Sequence, residues 1–288
     1  MKRLLYVVAL LITVSVVPPC AHAQVWQPAE QDSTTIVTAE WQISHPAKGL
    51  TLKQLQTTLF NSAQSISLVE ISPRHYTLHI AGNAGMLRTS QQAENHDATA
   101  AINGTYYNMR QGNSVCFYMD KGVAIDSTSH SEFASRVNGA IILQRRKVEL
   151  TPWGIDIERT FNGKRKSVLA SGPLLVENGE YSDWSRCDKA FIETRHPRSA
   201  IFIKNDGTIV MLTVDGRSKD NAAGMSIPEL ACLVKLLGGK EGINLDGGGS
   251  TTLWIRGEEH NGVVNYPCDN RRFDHEGERS VSNIIYAK

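Results

Sequence analysis

Asn244 and Asp246 flank a single Leu and run into Gly247, Gly248, Gly249 and Ser250, within the stretch GINLDGGGSTTLWI. Alternate residues of a strand share a face, so the amide and the carboxylate would project together from a strand end. Three successive glycines are costly to order. Their place between two apolar runs points to backbone that needs φ > 0 or the close approach of a ligand. Free N–H groups in such a turn suit an anion. A carboxylate, an amide and anion-binding backbone are what a phosphorylated or sugar substrate would meet. Asp246 is therefore the first candidate for acid–base or nucleophilic chemistry, with Asn244 beside it.

Three further polar turns follow strand-like runs. Asn103-Gly104-Thr105-Tyr106-Tyr107-Asn108 closes the apolar run Ala100-Ala101-Ile102. Arg195-His196-Pro197-Arg198 is a rigid basic corner, and arginine suits bidentate recognition of phosphate. Asp215-Gly216-Arg217-Ser218 offers a second carboxylate and another guanidinium. In this reading Arg195, Arg198 and Arg217 are candidates to hold an anionic substrate, and the Gly247, Gly248 and Gly249 backbone adds N–H donors where charge develops. Hydrolysis at a carbon centre would use a carboxylate pair such as Asp246 and Asp215. Cleavage at phosphorus would use a water oriented by Asp or Asn. The residue pattern leaves both open. Asp and Asn oxygens also suit a divalent cation, calcium or magnesium, but no EF-hand-like loop is present and the metal stays unknown. Plainer readings exist for each turn: an Asp-capped glycine turn, a hairpin corner with packing tyrosines, a solvated charge cluster.

The elements that must carry these turns can be read from periodicity. Residues 49–60 place Leu52, Leu55 and Leu59 at helical spacing and predict a helix. Residues 66–71 and 76–80 alternate like strands, and residues 89–99 read as a helix. Residues 115–150 look all-β, and residues 160–166 read as a solvated loop. Asn178-Gly179 signals a hairpin, and Asn205-Asp206-Gly207 turns a second one between residues 199–204 and 208–214. Ser226, Pro228 and Glu229 form a helix start with a capping box, and the helix stops at Gly238-Gly239. Residues 262–279 are polar and irregular, and Ile284-Ile285-Tyr286 begins a last strand.

The 288 residues carry 30 Lys and Arg against 29 Asp and Glu, a formal charge of +1. That balance argues against nucleic acid as a partner. Residues 1–23 have the basic start, apolar run and Ala21-His22-Ala23 cleavage site of a signal peptide, so an exported chain, periplasmic or secreted, is expected. No later stretch is long and apolar enough for a membrane span. Lipidation at Cys20 is disfavoured by Val17-Pro18-Pro19 before it. Residues 24–48 read as an N-terminal arm or first strand, and residues 49–288 as the catalytic domain. Export permits disulfides. Cys187 and Cys268 lie in polar, loop-like surroundings and are the expected pair; Cys116 and Cys232 read as buried thiols.

The motifs NGTYYN, SGPLL, RHPRSAIFI, TVDGRS, GMSIPELACLVKLLGG, INLDGGGSTTL and RSVSNIIYA occur in one order. Together they resemble the phosphodiester glycosidase family, across roughly residues 95–287 and more weakly 49–94. The family resemblance implies an α+β fold: a single compact domain with a mixed, largely antiparallel sheet and a few packed helices. The resemblance implies hydrolysis of a sugar-1-phosphodiester, of the N-acetylglucosamine-1-phosphodiester kind, in a phosphorylated glycan or envelope exopolysaccharide. It places family polar positions at Asn103, Arg195, Arg198, Asp215, Arg217, Asn244, Asp246 and Ser250. Departures occur at Ser199, where Thr is common, in the AIFI run, and at Tyr106-Tyr107, where a Gly-Phe type pair is frequent. The alternative from another class is a glycan-binding or exopolysaccharide-assembly protein that keeps the fold without turnover.

Overall fold

Residues 66–71 and 209–214 are apolar, β-branched runs that pair antiparallel, with Ile66 opposite Val214 and Ile71 opposite Ile209. Such runs, buried on both faces, make the centre of a covered sheet. The chain was analysed as a computed structural model, which describes residues 30–288. The expected leader lies outside the described residues.

In chain order the strands are β1 (Gln42–Ser44), β2 (Leu50–Leu59), β3 (Ser62–Ile71), β4 (Leu78–Arg88), β5 (Ala100–Asn103), β6 (Tyr118–Asp120), β7 (Val123–Asp126), β8 (Gly139–Gln144), β9 (Lys147–Pro152), β10 (Ser167–Ser171), β11 (Leu174–Glu177), β12 (Glu180–Tyr181), β13 (Arg198–Lys204), β14 (Ile209–Val214), β15 (Gly239–Asn244), β16 (Leu253–Ile255) and β17 (Ser280–Ala287). The helices are α1 (Glu30–Thr38), α2 (Thr89–Asn95), α3 (His130–Ser135), α4 (Ile155–Thr160), α5 (Lys189–Glu193) and α6 (Ile227–Leu236). Three sheets result, with orders β1-β2-β3-β14-β13-β15-β11-β12, β7-β6-β10-β8-β9 and β16-β5-β17-β4. The fold is the expected α+β single compact domain, and its strand pairs are antiparallel.

Alternation sends the two faces of the large sheet to different cores. Ile201, Met211, Ile243, Val69 and Leu52 meet residues of the two smaller sheets, including Ile102, Ile141, Leu169 and Ile285. Phe202, Val210, Leu212 and Leu68 face the opposite way, onto Ile227, Leu230, Leu233 and Val234. Helix α6 thus covers one side of the sheet, and the smaller sheets cover the other. Residues 30–48 pack onto the domain: Ile36 joins the α6 side, and the Asp32 carboxylate accepts the Phe60 N–H at 2.8 Å.

The helix expected over residues 49–60 is instead β2, which pairs with β3 along its whole length. The Leu spacing misleads because the buried face changes along the strand. Leu50 and Leu52 enter one core, whereas Leu55 and Leu59 enter the other. Residues 115–150 are not all-β either, since α3 interrupts them behind a Ser129 N-cap. The expected Cys187–Cys268 bridge is absent. All four cysteines among the described residues are free: Cys187 packs on the α6 side, while the Cys268 thiol donates to the Gly248 carbonyl at 3.6 Å. Cys116 and Cys232 are buried, as their apolar settings predicted.

The capping box on α6 is formed. The Glu229 N–H donates to Ser226 Oγ, and the Ser226 N–H donates to Glu229 Oε2 at 2.9 Å. Replacing Ser226 with Ala leaves a helix-end donor unpaired. The Ser226→Ala variant is expected to lose about 0.5–2 kcal/mol in a denaturant titration.

Candidate active site

Strand β15 runs between β13 and β11, with Asn244 opposite Ala200 and Ile243 opposite Leu174. Past its end the chain is held by three separate segments. Asn244 N–H donates to the Pro173 carbonyl at 3.0 Å, Leu245 N–H to Ser199 at 2.8 Å and Asp246 N–H to Gly104 at 3.0 Å. The Asp246 carbonyl in turn accepts from Asn103 Nδ2 at 2.7 Å. Asn103 Oδ1 accepts from Ser199 Oγ at 2.7 Å and from the Thr252 N–H at 3.1 Å. A fully buried Asn with both ends engaged fixes the position of the Asp246 backbone.

The glycines then allow approaches that a side chain would block. A Cβ at Gly247 would lie 2.5 Å from the Pro197 carbonyl oxygen. Gly248 has φ +64°, and its N–H donates to that same oxygen at 2.9 Å. The Gly247 N–H donates to Asp246 Oδ1 at 2.9 Å and fixes the rotamer of the carboxylate.

Above this turn lies a cleft of about 250 Å³. Asp246 is the single carboxylate that lines it, and four arginines surround it: Arg136, Arg198, Arg217 and Arg279. Burial pushes the Asp246 pKa up to about 6, against the lowering effects of Ser250, Arg136, the Gly247 N–H and Arg279. The Ser250 hydroxyl lies against this carboxylate without completing a hydrogen bond of good geometry. His196 also lines the cleft. Burial, then Arg198 and Arg217, lower its pKa, so the imidazole is neutral at pH 7.

The four guanidiniums are not equivalent. Arg136 forms a fork on Glu132 at 2.7 and 2.9 Å and lies 3.7 Å over the Tyr106 ring. Arg279 Nε bonds Asp269 at 2.8 Å. Arg198 is buried, with Nε on the Met225 carbonyl and Nη2 on the Phe191 and Thr194 carbonyls. Arg217 is exposed, and among the described residues its guanidinium meets only the Cys268 thiol, at 3.9 Å. It is the cation most available to an incoming anion.

The structure therefore sorts the residues named from sequence. Tyr106, Arg198, Arg217, Asp246, Gly247, Gly248 and Gly249 line one cleft. Tyr106 donates its hydroxyl to the Gly172 carbonyl at 2.6 Å and accepts from Asn244 Nδ2 at 2.9 Å. Asn244 is thus buried beneath the cleft, and Asn103 and Ser250 are buried beside it. Arg195 lies outside it, committed to Glu229, to Ser62 Oγ at 2.8 Å and to the Phe60 carbonyl at 2.6 Å. Asp215 is also outside. It accepts from Ser65 Oγ at 2.7 Å, Asn265 Nδ2 at 2.9 Å and the Tyr266 N–H at 3.0 Å. Three donors on a buried carboxylate tie the 265–266 segment to β3.

Arg136 and Arg279 were not singled out from sequence, nor was His196 as a site residue. The signal for Arg136 was present: Ser129 and Glu132 form an S-x-x-E helix start, and Glu132 and Arg136 are spaced for an i,i+4 pair. Among the described residues no group of three or more His, Cys, Asp or Glu could hold a metal. Four cations round one carboxylate make a poor cation site and a good anion site, so calcium or magnesium does not fit this cleft.

A family profile described as phosphodiester glycosidase matches residues 96–288. The chain belongs to the phosphodiester glycosidase family. It is 25% identical over 186 residues to the Bos taurus N-acetylglucosamine-1-phosphodiester alpha-N-acetylglucosaminidase, across 59% of this chain and 33% of that protein. It is 29% identical over 109 residues to the SPbeta prophage-derived uncharacterized protein YomE of Bacillus subtilis (strain 168), across 38% of this chain and 17% of that protein. The chain thus spans a third or less of these curated relatives. Among solved structures, the zebrafish N-acetylglucosamine-1-phosphodiester alpha-N-acetylglucosaminidase catalytic domain, auto-inhibited by its pro-peptide, shares the fold with a TM-score of 0.64 at 16% identity, covering 86% of this chain and 87% of that one. A hypothetical protein from Synechocystis gives 0.63 at 16% identity, covering 87% and 64%. Among the described residues no helix is long and apolar enough to cross a membrane.

Two variants separate the carboxylates. Asp246→Asn keeps an acceptor for the Gly247 N–H and should abolish turnover while stability stays within about 1–2 kcal/mol. Asp215→Asn should keep turnover within about tenfold, or roughly 1.4 kcal/mol in barrier. Near-normal turnover by a folded Asp246→Asn protein removes that residue from the chemistry. The Asp215→Asn variant also has a pH signature. Burial raises the Asp215 pKa from 3.8 to about 6. The stability linked to its proton is full below about pH 4 and is lost as pH rises through about 6, an amount of roughly 3 kcal/mol. The stability advantage of the wild-type protein over Asp215→Asn should therefore shrink across that window in thermal melts.

Proposed function

We propose that this chain is an exported hydrolase that cleaves a sugar-1-phosphodiester, of the N-acetylglucosamine-1-phosphodiester kind, in a glycan or envelope exopolysaccharide. Residues 1–23 would be the leader removed on export, and residues 49–288 the catalytic unit with residues 24–48 as its arm. The observation that carries the reading is one ionisable carboxylate set among four guanidiniums in a single cleft.

Arg217 receives the diester phosphate, with Arg136 and Arg279 adding positive charge beside Asp246. The Gly249 backbone, which lines the cleft, supplies a further N–H donor. Fixed donors and cations placed where charge develops stabilise the transition state without reorganising. The leaving group explains why a single carboxylate is enough. A phosphomonoester leaves as a weakly basic anion and needs no general acid, whereas an ordinary sugar alcohol does. Asp246, largely ionised at neutral pH, then acts on the anomeric-carbon side as the base for water. Bond breaking is at C–O: the sugar gains the hydroxyl of water, and the phosphate departs with its bridging oxygen. Arg198, its pKa lowered by burial to about 10 but still charged, holds the wall of the cleft.

The test is hydrolysis of N-acetylglucosamine-1-phospho-6-mannoside in ¹⁸O-labelled water. The phosphomonoester product is expected to contain no label, and kcat/KM is expected to rise with pH through about 6 and then level off. Label in the phosphate would place the attack at phosphorus. Tight binding of the diester without any product would instead identify a binding protein of this fold. Arg217→Ala is expected to raise KM more than it lowers kcat, because a phosphate grip is shared by the ground and transition states.

A further inference from the structure

A second cleft, of about 340 Å³, opens between β4 and β17 on one side and the turns at the ends of β6, β8 and β10 on the other. It shares no lining residue with the cleft round Asp246. Its rim carries Lys121, Arg145 and Arg165, all exposed. None of the three makes an ion pair among the described residues, unlike Arg136, Arg195 and Arg279. All three have left-handed backbone, with φ of 48°, 54° and 60°. That region disfavours long side chains and would suit Gly or Asn. The fold thus places three unpaired cations at turn tips where local propensity asks for something else.

The floor is aromatic. Tyr286 stacks on His79 at 5.1 Å and on His96 at 5.3 Å, and all three rings are half-buried. Burial, together with Lys121 and Lys288, lowers the His79 pKa and favours its neutral imidazole. Asp120 also lines the cleft and accepts from Ser167 Oγ at 2.8 Å. A carboxylate among the cations can accept sugar hydroxyls, and it opposes a bare run of phosphates. Tyr286 and Arg279 lie seven residues apart along the line of β17, roughly 23 Å at about 3.3 Å per residue. The two clefts are therefore strung along one strand.

We propose that the cleft over Tyr286 is a glycan-holding site that takes acidic oligosaccharide, with sugar faces on the aromatic floor and carboxylate or phosphate substituents on Lys121, Arg145 and Arg165. This assignment does not depend on the reaction at Asp246.

Calorimetric titration of the full chain with octagalacturonate tests it, with neutral maltooctaose, inorganic tripolyphosphate and a single-stranded oligonucleotide as the other arms. The probe variant is K121N/R145N/R165N, because Asn tolerates the left-handed backbone. Octagalacturonate is expected to bind saturably and to weaken with salt. The triple variant should lose at least about tenfold in affinity, equivalent to roughly 1.4 kcal/mol, with a melting temperature no lower than that of the wild type. Asp246→Asn and Arg217→Ala should bind as the wild type does. Loss of binding in Arg217→Ala rather than in the triple variant would move the ligand to the other cleft. Unchanged affinity in the triple variant, absence of binding, or equal binding of tripolyphosphate or oligonucleotide would each overturn the assignment.

Discussion

The amide of Asp246 is pinned to Gly104 and its carbonyl to Asn103, and the rest of the cleft depends on that double tie. A strand end projecting from a sheet is ordinarily free to fray. Here consecutive amides of residues 244–246 reach Pro173, Ser199 and Gly104, which belong to three distant parts of the chain. The same close approach appears at Gly104, where a Cβ would lie 1.9 Å from the Asn283 amide oxygen. Residues 103–105, 244–246 and 283 therefore interlock through backbone and amide groups. The four-stranded sheet exists, in functional terms, to bring β5 and β17 against the end of β15.

Arginine serves opposite ends within this small volume, and its surroundings decide which. Arg195 is held by a carboxylate, a hydroxyl and a carbonyl. Arg198 is held by carbonyls alone. Both brace the basic corner against α6 and its approach. Arg136 and Arg279 carry one carboxylate partner each and still contribute positive potential at Asp246. Arg217 has almost nothing. A graded set of commitments is suited to binding an anion: the braced cations fix the field, and the uncommitted one completes its coordination when ligand arrives.

The opposing forces on Asp246 also set its chemistry. Burial raises its pKa, while the adjacent hydroxyl, cations and N–H lower it. The balance leaves a carboxylate that is ionised at neutral pH yet basic enough to accept a proton. Asp215, buried under three donors and away from the cleft, has a similar shift for a structural reason. A raised pKa alone would not distinguish the two. Their places relative to the cleft do.

The sequence by itself determined the family, the glycine turn with its Asp, the hairpins and the capped helix α6, because each rests on local chemistry: a φ > 0 position, a two-residue turn, a side chain capping a backbone three residues on. It also placed Tyr106, Arg198, Arg217 and Asp246 among the candidates through their positions at strand ends. It could not separate Arg195 from Arg217 or Asp215 from Asp246, since each pair looks alike until Glu229 and Ser65 arrive from elsewhere in the chain. Residues 49–60 read as a helix because a strand that feeds two cores carries its leucines on both faces. Only the tertiary structure decided which cations are already spent on carbonyls and carboxylates and which remain to meet a phosphate. Those partners lie up to 135 residues away along the chain, beyond the reach of any local pattern.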